Sequence, residues 1–139
     1  MKARSAVSAI LLLALLPGAA ARATEIHADV AVMRWIDKVV ARVSTVDAPV
    51  GETVQVGTLR IIVRACVTRP PEETPESAAF LDVSEAKPGE PLAEVFRGWM
   101  FASSPGLSAL EHPVYDLWLI ECRNASTTGS SSSPMNLTR

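Results

Sequence analysis

The chain has two cysteines, Cys66 and Cys122, and what they can do together limits its fold more than any other feature. Neither has a Cys-x-x-Cys partner or a neighbouring histidine, so a reactive or metal-bound thiol pair is disfavoured. The N-terminus decides what remains. Lys2 and Arg4 precede a largely apolar run of 11 residues from Ala6 to Leu16, then Pro17-Gly18, then Ala21 and Ala23 around Arg22. That is the layout of a secretory signal peptide over residues 1–23, and the run is about half the roughly 20 residues a spanning helix needs. No membrane insertion is expected after cleavage at Ala23. The expected location is the periplasm, where a Cys66–Cys122 disulfide is the default state.

The disulfide restricts topology. Each cysteine closes a predicted strand, and a disulfide needs its Cα atoms within about 7 Å. Regular antiparallel neighbours would hold those two ends apart. The strands must therefore run roughly parallel, face each other from separate sheets, or meet where one of them ends. A mostly β fold follows: a small antiparallel β-sandwich or open β-barrel clipped by one disulfide.

The strands are read from period-two patterning and turn residues. Leu59, Ile61, Val63 and Ala65 alternate with Arg60, Ile62 and Arg64, predicting a strand with one wet face. Val39–Val46, Thr53–Val56, Ala79–Val83 and Ala93–Phe101 are further strands, separated by Pro49-Val50-Gly51, Gly57 and Lys87-Pro88-Gly89. In Val114–Cys122, strict alternation puts Leu117, Leu119 and Glu121 on one face and Asp116, Trp118, Ile120 and Cys122 on the other. With both faces largely apolar, this strand belongs near the middle of a sheet.

Residues 24–36 read as an N-terminal extension, with helical spacing predicting a helix over 28–36, and the β domain occupies 37–123. The loop 69–76, with three prolines and three glutamates, should be exposed and its charges solvated. After Arg123 the Ser/Thr-rich tail 124–139 is expected to be disordered.

Removal of residues 1–23 takes Lys2, Arg4 and Arg22, leaving 10 basic against 15 acidic residues, a net charge of −5. An acidic surface without a basic cluster excludes nucleic acid as a natural partner and disfavours anionic lipid.

Asp37-Lys38-Val39, Pro49-Val50-Gly51-Glu52-Thr53, Val63-Arg64-Ala65-Cys66, Gly98-Trp99-Met100-Phe101-Ala102-Ser103-Ser104-Pro105 and Glu111-His112-Pro113-Val114-Tyr115-Asp116 together resemble an alphaproteobacterial family, domain of unknown function 2155. The resemblance covers about residues 36–123. It implies a periplasmic protein and brings no established activity. Through gene neighbourhood it points to an accessory subunit of a respiratory complex as partner, and through the label of some members to a cellulase-like role. Val40 and Val56 depart from the family's threonine and aromatic at packing positions.

Functional side chains concentrate between Trp99 and Asp116. A Ser-His-Asp hydrolase would combine Ser103 or Ser104 with His112 and Asp116, but no Gly-x-Ser-x-Gly elbow is present. A glycan hydrolase would need a carboxylate pair, which 15 acidic residues always supply and which is therefore uninformative. No ligand spacing for a metal and no Gly-rich nucleotide loop is found, so no metal and no cofactor is expected. The remaining reading is a non-enzymatic domain that docks to an envelope protein or complex, or binds carbohydrate. Its candidate binding residues are Trp99, Phe101, Glu111, His112, Tyr115 and Asp116. The competing reading is that the aromatics fill the core and the polar residues complete turns.

Overall fold

A computed structural model describes residues 24–125. The signal peptide expected over 1–23 and the disordered tail expected over 124–139, beyond Ala125, lie outside the described residues. Nine strands, β1 (Ile26–His27), β2 (Val30–Asp37), β3 (Arg42–Pro49), β4 (Thr53–Val56), β5 (Leu59–Thr68), β6 (Ser77–Glu85), β7 (Ala93–Phe101), β8 (Leu110–Glu111) and β9 (Tyr115–Arg123), form two antiparallel sheets. A one-turn helix α1 (Pro105–Ser108) follows β7. Sheet A has the order β1-β5-β6-β7, with β4 beside the N-terminal half of β5 and β1 beside its C-terminal end. Sheet B has the order β3-β2-β9-β8. The two sheets stack face to face as a sandwich and do not close into a barrel, in keeping with the expected mostly β fold.

The helix expected over 28–36 is corrected. Val30, Val32, Trp35 and Ile36 favour extended backbone, and β2 is paired on both sides, to β3 and to β9. The segment 24–36, read as an extension, thus supplies β1 and all but the last residue of a central strand of sheet B. The strand expected from Val39 begins instead at Arg42. Asp37 Oδ1 accepts the backbone N–H groups of Val39 and Val40, and Ala41 takes a left-handed φ of 54°, which makes 38–41 the turn of a hairpin.

The core lies between the inner faces: Leu59, Ile61, Val63, Leu81, Val83 and Met100 from sheet A meet Ala31, Met33, Leu117 and Leu119 from sheet B, all essentially without solvent contact. The disulfide joins β5 to β9 and therefore clips one sheet to the other, with Cα atoms 5.7 Å apart. This is the face-to-face option among the three topologies.

Strict alternation fails just before each cysteine. In β5, Val63 pairs Leu81 and Ala65 pairs Phe80, so Arg64 is an extra residue; Cys66 then pairs Ala79 and points inward. In β9, Leu119 pairs Met33 and Glu121 pairs Val32, so Ile120 is extra. Cys122 consequently shares the buried face of Leu117 and Leu119, and Glu121 turns out to solvent, the reverse of the expected assignment. A bulge inserts one residue and shifts the phase of everything beyond it. Both cysteines face the core because each strand carries one.

Candidate functional site

The six sequence-derived candidates divide among three places. His112 and Tyr115 are buried at the end of the sandwich remote from the disulfide. β9 starts there with Tyr115, whose C=O accepts the His112 backbone N–H. The two rings stack with centroids 5.7 Å apart, and Trp35 meets Tyr115 edge-on at 6.0 Å. Glu85, also buried, completes the cluster. His112 Nε2 donates to Glu85 Oε2 at 3.2 Å, Lys87 Nζ lies 3.1 Å from the same oxygen, and the Thr58 hydroxyl donates to Oε1 at 3.2 Å. The Val114 N–H donates to His112 Nδ1 at 3.3 Å, which places the imidazole proton on Nε2. Burial opposes ionisation of Glu85, but hydrogen bonds from Lys87, His112 and Thr58 outweigh it and hold the carboxyl below its ordinary value. Through the His112–Glu85 hydrogen bond these groups pin the β8–β9 turn onto sheet A.

Glu111 is exposed on β8 directly opposite Asp116 of β9. Asp116 is held by Lys38 at 2.8 Å on the outer side of sheet B. At the other end of that face, the Arg123–Asp47 ion pair spans β2, and Val30 and Val32 beneath it are 8% exposed. Both ends of the outer face of sheet B are thus bridged by ion pairs.

Trp99 and Phe101 stand on the outer face of sheet A, 43% and 42% exposed. The ladder places Phe80 beside Trp99, with rings 5.6 Å apart in an edge-to-face arrangement, and Ala78 beside Phe101. The next row towards the far end holds Asp82 between two arginines, with Arg64 Nε and Arg97 Nε each donating at 2.7 Å. These bonds, that of Arg97 first, depress the Asp82 carboxyl to about 2. Because each arginine uses Nε on Asp82, its terminal nitrogens remain available to a ligand carboxylate. A shallow cleft of about 250 Å³ opens over Ile62, Asp82, Arg60, Leu92 and Arg97.

A second cleft, about 450 Å³, lies beside the disulfide and is lined by Thr68, Glu76, Ser77, Ser103, Glu121 and Cys122 among others. Glu76 departs from the expectation that loop 69–76 is wholly solvated. Its carboxylate accepts the backbone N–H groups of Ser77 and Ser103 and the Ser103 hydroxyl. Burial raises its pKa, yet these hydrogen bonds bring the net shift below the ordinary value. Ser103 is thus tied to Glu76 near the Cys122 end of β9, whereas His112 sits at the Tyr115 end and Asp116 pairs with Lys38. The hydrolase constellation is not assembled. Among the described residues, no group of three or more His, Cys, Asp or Glu side chains comes together that could hold a metal ion. No described helix is long and apolar enough to cross a membrane.

Sequence reasoning did not single out Phe80, Arg64, Asp82, Arg97 or Glu85. A parity signal for two of them was present: once Ala79, Leu81 and Val83 are assigned to the core, Phe80 and Asp82 must point outward on the same strand.

The family model described as "Uncharacterized protein conserved in bacteria (DUF2155)" matches residues 31–122. Uncharacterized protein RP359 of Rickettsia prowazekii (strain Madrid E) is 26% identical over 87 residues, covering 63% of this chain and 56% of the relative. The match therefore spans little more than half of that relative's length. No solved structure matches the chain. The family match runs from β2 into β9, takes in both cysteines and both bulges, and contains the two long strings around Trp99 and His112. The chain belongs to this family of bacterial proteins, domain of unknown function 2155.

Proposed function

We propose that this protein is an exported, non-enzymatic β-sandwich module that docks another envelope protein on the outer face of sheet A. The observation that carries the reading is the uncovered Phe80–Trp99–Phe101 strip beside the Arg64–Asp82–Arg97 triad. Tryptophan and arginine dominate protein interfaces because a rigid ring or a planar fork contributes large contact at small entropy cost. The opposite face is bridged by the Arg123–Asp47 and Lys38–Asp116 pairs, so the asymmetry favours sheet A. Arg60, Arg64 and Arg97 outnumber Asp82 and Glu94 on this face of an otherwise acidic chain, which suits a partner that brings carboxylates. The inter-sheet disulfide supports the export reading, since such bonds persist in oxidising compartments.

The test is recovery of partners from periplasmic extract by wild type and by a Trp99→Ala, Phe101→Ala double variant. The reading expects at least one envelope protein to be lost with the variant; equal recovery of every partner contradicts it. Loss of subunits of a membrane complex would define the module as an accessory subunit. An exposed Trp–Phe platform on a flat sheet also suits a glycan. Retention on insoluble glycan that disappears with the same variant, with no protein recovered, would select that second reading.

A further inference from the structure

We propose that two copies of this chain pair edge to edge along β7, antiparallel about Gly98, joining their A sheets into one continuous sheet. This goes beyond the docking reading and needs no foreign partner. β7 is a nine-residue strand paired to β6 on one side alone. The remaining edges are less open: β8, β1 and β4 are short, and β3 ends in Pro49 and carries Arg42 and Asp47.

Hydrogen bonding shows which backbone groups the β7 edge offers. The Phe101 N–H donates to Ser108 Oγ at 3.0 Å and the Phe101 C=O accepts from the Ser104 N–H at 3.2 Å, so Phe101 points away from β6 and is capped by the α1 turn. Ala102 donates back to Ser77 of β6. Antiparallel ladders alternate, so Trp99 and Arg97 also direct their N–H and C=O outward, and among the described residues no turn, loop or cap hydrogen bond uses them.

Apolar exposure gathers at the same edge. Of the eight large hydrophobic side chains exposed among the described residues, Trp99 and Phe101 lie on β7, Leu92 just before it and Leu107 in the following α1, and Leu107 is 91% exposed.

The register follows from these groups. A strand pairing that joins outward-directed residues can be centred on residue 97, 98 or 99. Centring on Arg97 sets two arginines side by side, a like-charge contact. Centring on Trp99 directs Arg97 at Phe101, whose backbone groups are already taken. Centring on Gly98 places Arg97 of each copy beside Trp99 of the other on the outer face, two equivalent cation–π contacts. Each capped Phe101 then falls opposite Val95, the residue that the bulge in β7 leaves unpaired. The Leu107 turn of each copy reaches the Leu92 end of its neighbour. The contact is self-complementary, as a two-fold interface requires.

The purified full chain is examined by sedimentation across a micromolar concentration series. The expected result is a twofold rise in solution mass with concentration. Trp99→Pro removes an N–H that faces the free edge, which edge strands tolerate, and is expected to abolish the rise. Gly98→Cys lies on the axis, where opposed Cα atoms fall within disulfide range, and is expected to cross-link into a covalent dimer; Thr45→Cys on β3 is not. A monomer at every concentration, or cross-linking from Thr45→Cys equal to that from Gly98→Cys, overturns the proposal. So does a dimer of Trp99→Pro, which would place the contact elsewhere.

Discussion

At the scale of single residues, the buried Glu85 carboxylate ties sheet A to the β8–β9 turn of sheet B through His112. It accepts from Thr58, Lys87 and His112, three groups on separate segments of chain, and its pKa is lowered in the folded state. A depressed carboxyl contributes stability that is fully present above its unfolded value and is lost as pH falls through its folded value. Glu85→Gln is therefore expected to lower the urea midpoint at neutral pH, with the gap to wild type closing as both proteins are taken below the ordinary glutamate range. Urea denaturation at a series of pH values checks this, and a gap that is constant with pH would assign the loss to packing. His112 and Tyr115 carry the same lesson about legibility. Their residue types announced a cluster, but sequence spacing has no term for Glu85, 27 residues upstream of His112, so their burial against it could not be read. Trp99 and Phe101 were legible as outward-facing only once Met100 was known to be core.

At the scale of elements, the period-two pattern identified β4 and β7 with their observed bounds and placed β5, β6 and β9 to within a few residues at each end. It failed on β2, where apolar residues at helical spacing concealed a strand, because pairing on both sides outweighs side-chain spacing. It also failed at the bulges that precede the two cysteines. An extra residue leaves no mark in composition, yet it determines which side Cys122 faces. Deleting Ile120 removes the extra residue and leaves Cys122 opposite Ala31, in strict alternation with Leu119, so the Cys66–Cys122 bond is expected to form and both thiols to stay closed to alkylation. Ile120→Ala keeps the residue count and is expected to retain the bond as well. On the chain-entropy model a loop of this length contributes about 4 kcal/mol, so replacing both cysteines by alanine should lower the urea midpoint by a corresponding amount, whereas the deletion, read alongside mass spectrometry of the alkylated protein, should not. Free thiols after the deletion would contradict the register that makes Ile120 the extra residue.

At the scale of the whole molecule, the two sheets give the protein two unlike surfaces. Sheet B has ion pairs bridging both ends of its outer face, and the clip from Cys66 to Cys122 holds sheet A against it as a rigid platform. The platform carries its aromatic strip and its arginines side by side, an arrangement the sequence spreads over residues 60 to 101 and only the ladder assembles. Asp82, held at about 2, keeps its charge and its two arginines in place throughout the physiological range. On the proposed function, this outer face is where the protein meets its partner. A photoreactive side chain placed at Phe101, and separately at Thr45 on the edge of sheet B, in the cell that makes the protein, tests this directly. Cross-linked products are expected from position 101 and none from position 45. Products from position 45 alone, or the same products from both, would contradict it.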